Sequence, residues 1–140
     1  MYQNYVLGFC FSPDMSEVVL IEKNKPEWQK GHLNGVGGKI EQNETPSHAM
    51  QREFMEETGV VIPEHEWLCF GSLKGEDFCV MLFKVQSERF IECETKESEK
   101  VGIYSTFNIH ELNVIPNLHW IVPACLVNDF KSLDVSYFLN

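Results

Sequence analysis

Residues 2–11 are dominated by aromatic and aliphatic side chains, and residues 17–22 (Glu-Val-Val-Leu-Ile-Glu) form an apolar run closed by charges. Both read as strands, and the turn chemistry of Ser12-Pro13-Asp14 between them predicts a hairpin. The pattern then changes. Residues 47–58 contain no Gly or Pro, and Ala49, Phe54 and Val60 are placed to face a core. Thr45 offers an N-cap, Pro46 suits the first helical position and Gly59 supplies a left-handed stop. These signals predict one helix of about three turns. Further on, residues 67–73 and 78–85 read as strands split by the Lys74-Gly75-Glu76-Asp77 turn. The charged stretch 88–100 reads as an edge strand plus a mobile loop, and 101–107 as a strand. A short helical turn near 109–112, an apolar helix over 117–127 after Pro116, and a last strand at 135–139 complete the chain. No repeat or linker interrupts it, so the pattern alone predicts mixed α/β in a single domain, 1–140.

The chemistry concentrates on the predicted helix. Arg52, Glu53, Glu56 and Glu57 are spaced so that helical geometry gathers them along one side. Three neighbouring carboxylates repel one another, and they sit in the half of the helix where its macrodipole disfavours negative charge. One reading is a solvated acidic face with Arg52 as local partner. The other is a site for a hard cation, Mg²⁺ or Mn²⁺, of the kind bound together with substrate phosphates.

Around that helix the chain reads Gly38-x5-Glu44-x7-Arg52-Glu53-Phe54-x-Glu56-Glu57-x-Gly59-Val60. This resembles the Nudix box, the signature of Nudix hydrolases, with an aromatic Phe54 where an aliphatic residue is more usual. The resemblance implies an α/β/α sandwich, a mixed β-sheet between the box helix and a C-terminal helix. It also implies metal-dependent hydrolysis of a nucleoside diphosphate linked to a further moiety. Glu53, Glu56, Glu57 and the Gly38 carbonyl would be metal ligands, and Glu44 would pair with Arg52 to orient the carboxylates. Many Nudix enzymes carry another catalytic or metal-binding glutamate in a later loop. Glu99 is the first choice here and Glu97 the second; ordinary solvated positions remain the alternative.

The run Leu33-Asn34-Gly35-Val36-Gly37-Gly38-Lys39 resembles that of Nudix enzymes cleaving oxidised purine triphosphates such as 8-oxo-dGTP. Asn34 would then hydrogen-bond a purine, for which an amide offers both donor and acceptor. Asn117, His119 and Trp120 are candidates to complete a base pocket, with Trp120 fitting either a stacking or a core role. The leading expectation is (oxidised) purine nucleoside triphosphate to monophosphate plus pyrophosphate. Hydrolysis of ADP-ribose, a dinucleoside polyphosphate or a nucleotide sugar is the alternative, and a non-catalytic ligand-sensing module a third.

Glycines at 31, 35, 37 and 38 suit a loop over residues 32–40 that approaches a ligand closely. Lys23, Lys25 and Lys30 ahead of it, and Lys39 within it, are candidates to meet phosphate oxygens or else plain surface charges. A net charge of −10 argues against a nucleic-acid polymer as partner. The cysteines at 10, 69, 79, 93 and 125 form no close pair and read as reduced thiols. With no membrane-length apolar run and no leader-like N-terminus, a cytoplasmic protein is expected, monomer or homodimer.

Overall fold

A computed structural model describes residues 2–127 and 132–137 of the chain. Its centre is the N-terminal hairpin. β1 (Gln3–Phe11) and β2 (Glu17–Glu22) pair antiparallel at Cys10↔Val19 and Phe11↔Val18. The Ser12 hydroxyl closes the turn, donating to Asp14 at 2.8 Å and accepting from the Glu17 N–H at 3.0 Å. Beyond those pairs the two strands diverge, and the glycine-rich stretch enters the gap. β3 (Leu33–Asn34) follows β2, and β4 (Val36–Lys39) follows β1. What the sequence suggests is a loop is therefore largely strand. Bare backbone is needed there, because a Cβ on Gly37 would lie 2.0 Å from the Val6 carbonyl oxygen.

On its other edge β1 runs parallel to β6 (Phe78–Gln86) from Gln3↔Phe78 to Phe11↔Gln86. β6 pairs antiparallel with β5 (Leu68–Lys74), with a register shift between Cys69 and Gly71, and β5 pairs parallel with β8 (Leu133–Ser136). β7 (Lys100–Ser105) lies antiparallel on β2, completing, among the described residues, a mixed eight-stranded sheet. Helix α1 (Pro46–Thr58) covers one face and α2 (Leu118–Cys125) the other. Covering both faces explains why Val18, Val19, Leu20 and Ile21 are apolar in an unbroken run: all four are fully buried. On the α1 side, Phe54 meets Trp67 edge-on at 5.1 Å between ring centroids. The aromatic at this box position is thus core, and its burial stabilises by about 1.5–3 kcal/mol.

Three expectations need correction. Residues 88–92 are not an edge strand: Glu88–Glu92 is a 3₁₀ turn, started by the Ser87 hydroxyl accepting from the Arg89 N–H at 3.1 Å. Glutamate-rich sequence has little strand preference, and the Arg89–Glu92 pair at 3.2 Å favours the turn. The strand expected over 101–107 stops at Ser105, whose hydroxyl accepts from the Phe107 N–H and opens a second 3₁₀ segment, Thr106–Glu111. The last strand begins two residues earlier than 135 and ends at Ser136. Positions 138 and 139 of that expectation lie outside the described residues.

Candidate active site

Helix α1 forms as its local signals predict. The Thr45 hydroxyl accepts from the His48 N–H at 3.2 Å, Pro46 opens the helix, and Gly59 ends it at φ 80°. Burial of Ala49, Met50, Phe54 and Thr58 turns Arg52, Glu53, Glu56 and Glu57 toward the outer edge of β4 and the loop preceding β7.

Arg52 is the hub of the cluster. Its Nε donates to Glu44 Oε2 at 2.7 Å and its Nη2 to Glu44 Oε1 at 2.9 Å, a two-pronged pair. Nη1 donates to Glu53 at 2.8 Å and to Glu56 at 3.3 Å, and Nη2 also reaches the Lys39 carbonyl at 3.0 Å. The pair holds Glu44 ionised, at a pKa of about 2, chiefly through the Arg52 hydrogen bonds. Glu53, by contrast, is raised by burial, against the pull of Arg52. Its carboxylate lies over Gly38 so closely that a Cβ there would come within 2.5 Å of it.

Glu57 has no such neighbour. Burial first, then the charges of Glu97 and Glu99, push it up to about 7. Its Oε2 is buried without a hydrogen-bond partner. Glu99 itself is 7% exposed, accepting from Lys23 Nζ at 3.0 Å and from the Asn24 N–H at 2.6 Å. The charges of both later-loop candidates therefore act on Glu57, Glu99 from a buried position and Glu97 from an exposed one. Among the described residues, no three acidic, His or Cys side chains already converge on one point. Arg52 draws Glu53 and Glu56 aside, and Lys23 draws Glu99. The donors are nonetheless all hard oxygens, and the partnerless Glu57 oxygen is the kind of atom a divalent cation satisfies. The residues fit such an ion.

A cavity of about 760 Å³ opens beside the cluster and shares Gly38 and Lys23 with it. Asn34 and Asn117 both line it. Trp120 and His119 do not: Trp120 is 38% exposed on α2, while Leu118 and Ile121 take the buried positions. The aromatic lining comes instead from Tyr5, Trp28, Phe78 and Tyr137, with Gln29 beside Asn34. Sequence reading missed these residues as site residues; a tryptophan, Trp28, in the polar stretch just ahead of the glycines was the signal available. Lys39 has an exposed side chain, absent from the cavity lining.

The NUDIX domain model matches residues 1–126. The chain belongs to the Nudix family. Its glutamate cluster lies on the stretch that resembles that family's box. Nudix hydrolases in general use divalent metal ions. Among solved structures, it resembles a MutT from work on Aliivibrio salmonicida and Vibrio cholerae, with TM-score 0.75 and 21% identity over 88% of this chain and 95% of that one. It resembles the mutator MutT protein of Bacillus halodurans with TM-score 0.73 and 20% identity, covering 96% of this chain and 88% of the other. The NUDIX domain of Shewanella oneidensis NrtR, crystallised with ADP ribose, gives TM-score 0.71 at 16% identity, covering 88% and 85%. At these identities the likeness concerns the fold. The Nudix sandwich expected from the box is present, with α1 and α2 on opposite faces of the mixed sheet.

Proposed function

We propose that this Nudix family member cleaves purine nucleoside triphosphates, oxidised ones included, to the monophosphate and pyrophosphate. The observation that carries the reading is the continuity of the carboxylate cluster with an amide- and aromatic-lined cavity, through Gly38 and Lys23. A triphosphate chain at the cluster leaves its base beside Asn34, Asn117 and Trp28, where amide hydrogen bonds and ring stacking suit a purine.

Glu53, Glu56, Glu57 and the Gly38 carbonyl would hold Mg²⁺ or Mn²⁺, which supplies charge neutralisation of the phosphate oxygens and acidification of water. The other steps belong to side chains of the chain. Arg52 and Glu44 keep Glu53 and Glu56 oriented. Lys23, released from Glu99, is placed to meet a phosphate oxygen, and Lys39 is available from outside. Glu99, freed by the same exchange, or one of the box carboxylates accepts the proton of the attacking water. A cytoplasmic nucleotide-pool role fits the free thiols, of which Cys10, Cys79 and Cys125 are buried.

The test is phosphate release by the purified protein with Mg²⁺, coupled to pyrophosphatase, over canonical and oxidised dNTPs, ADP-ribose and a dinucleoside polyphosphate. Purine triphosphates should lead the panel, and Glu53→Gln should lower kcat more than about 10²-fold with an unchanged circular dichroism spectrum. Turnover confined to ADP-ribose would transfer the function to the second reading, for which the ADP ribose complex of the NrtR domain is the supporting observation. Wild-type turnover by Glu53→Gln would remove Glu53 from the mechanism.

A further inference from the structure

Asn34 is 7% exposed, and both halves of its amide are already engaged. The Gly35 N–H donates to its Oδ1 at 2.8 Å, and its Nδ2 donates to Gln29 Oε1 at 3.1 Å. A backbone N–H can only donate, so it requires the amide oxygen of Asn34 on its side. The NH₂ half must then face Gln29, and Gln29 must answer with its oxygen. One backbone donor thus sets the orientation of two side-chain amides in series. What remains for the cavity is fixed in kind and order: one N–H of Asn34 and one lone pair of its oxygen.

Gln29 is itself anchored independently of any ligand. It ends the 3₁₀ turn Glu27–Gln29, where its N–H donates to the Pro26 carbonyl at 2.9 Å and its carbonyl accepts from the His32 N–H at 2.9 Å. Gln29 is half-buried on that turn, which contributes no buried residue to the core. Removing its oxygen would strip Asn34 of the acceptor for a buried NH₂ group and leave the amide held at the Gly35 N–H alone, free to swing about that one bond.

We propose that Gln29 is a positioning residue for base recognition: the Gly35 N–H sets the donor–acceptor order of the Asn34 amide, and Gln29 holds that amide in the one direction that presents it to a base edge in the cavity. The inference rests on the reading of this cavity as a nucleotide site, but not on which anhydride is cleaved.

The experiment titrates the purified protein with dGMP, dAMP, dCMP and dTMP by calorimetry, a readout independent of turnover. Wild type should rank the bases with at least about a tenfold spread in Kd. Gln29→Met, which keeps length and loses the acceptor, should compress the spread to about threefold or less, as should Asn34→Ala. Gln29→Glu keeps the acceptor; its added charge should weaken all four ligands together while preserving their order. The Asn34→Ala/Gln29→Met double variant should be no worse than Asn34→Ala, since two members of one relay are not additive. Gln29→Ala provides the same loss by a second route if the methionine disturbs the turn. An unchanged ranking in Gln29→Met and Gln29→Ala, an additive double variant, or a wild type without ranking would each overturn the proposal. Failure of the triphosphate reading looks different: base ranking would persist while no triphosphate was cleaved.

Discussion

Arg52 divides its donors among Glu44, Glu53, Glu56 and the Lys39 carbonyl, with Glu41 also 3.3 Å away. The consequence is clearest at Glu44, whose side chain is 8% exposed and whose pKa falls from 4.5 to about 2. A carboxylate with a depressed folded pKa stabilises the fold at pH above its unfolded value and loses that contribution as pH falls through the folded value. Glu44→Gln should therefore cost about 1–3 kcal/mol at pH 6, the worth of hydrogen bonds to a charged group. The gap between wild type and variant should close as pH falls from 4.5 toward 2. Urea midpoints measured across that range check it; a gap constant with pH would mean the pair contributes packing alone. Gly38 bears on the same cluster by having no side chain. A Cβ there would meet the Glu53 carboxylate at 2.5 Å, and the end of a flexible side chain can move aside. Gly38→Ala should therefore fold with a near-normal melting temperature but lower kcat about 10²-fold, the scale set by a misplacement of about 1 Å. Full activity in that variant would show that the Glu53 carboxylate has no fixed working position.

One residue earlier, the same substitution acts on a different element. A Cβ on Gly37 would lie 2.0 Å from the Val6 carbonyl oxygen and 2.9 Å from its carbon, and backbone in the middle of β1 cannot step aside. Gly37→Ala should break the β1–β4 pairing and yield insoluble or unfolded protein, whereas Gly38→Ala stays folded. Soluble yield and thermal melts of the two variants, side by side, decide this; a folded Gly37→Ala would show that β4 can detach. The contrast also explains what could be read from sequence. Helix α1 was legible because Thr45, Pro46 and Gly59 act within a few residues of the groups they satisfy. β3 and β4 were not, since residues 33–39 become strand only through partners at residues 5–8, 21 and 22. The Glu88–Glu92 turn was hidden for a related reason: Ser87 decides it, and a serine before a charged stretch fits a loop equally well. The acidic box side was legible as chemistry, and the i, i+4 spacing of Arg52 and Glu56 offered their pairing, yet nothing local announced that Glu57 Oε2 would be buried without a partner.

At the scale of the molecule, the cavity shows where sequence reading stops. Its walls come from β1, the turn ahead of β3, the β5–β6 hairpin, the start of α2 and Tyr137, so stacking partners could be found only after the sheet had assembled them. Asn34 carried a family resemblance and Asn117 was one candidate among three, while Tyr5, Phe78 and Tyr137 had no spacing to betray them. The same assembly brings Glu57, Glu97, Glu99 and Glu53 together in a chain whose net charge is already −10. Such a cluster works against the compact state until a cation relieves it. Divalent metal should therefore stabilise the whole fold. At an excess of about 100-fold over Kd, mass action contributes about 2.7 kcal/mol, which corresponds to a rise in melting temperature of roughly 5–10 °C for a domain of this size. Sodium chloride at matched ionic strength separates binding from screening, because it damps repulsion without entering a coordination site. Equal shifts with both salts would mean that the acidic cluster is only screened. A shift with Mn²⁺ or Mg²⁺ alone, reduced by more than half in Glu57→Gln, would make the buried, partnerless Glu57 oxygen a metal ligand. Retention of the full shift in that variant would assign the ion to the other carboxylates and leave the raised pKa of Glu57 to burial and its acidic neighbours alone.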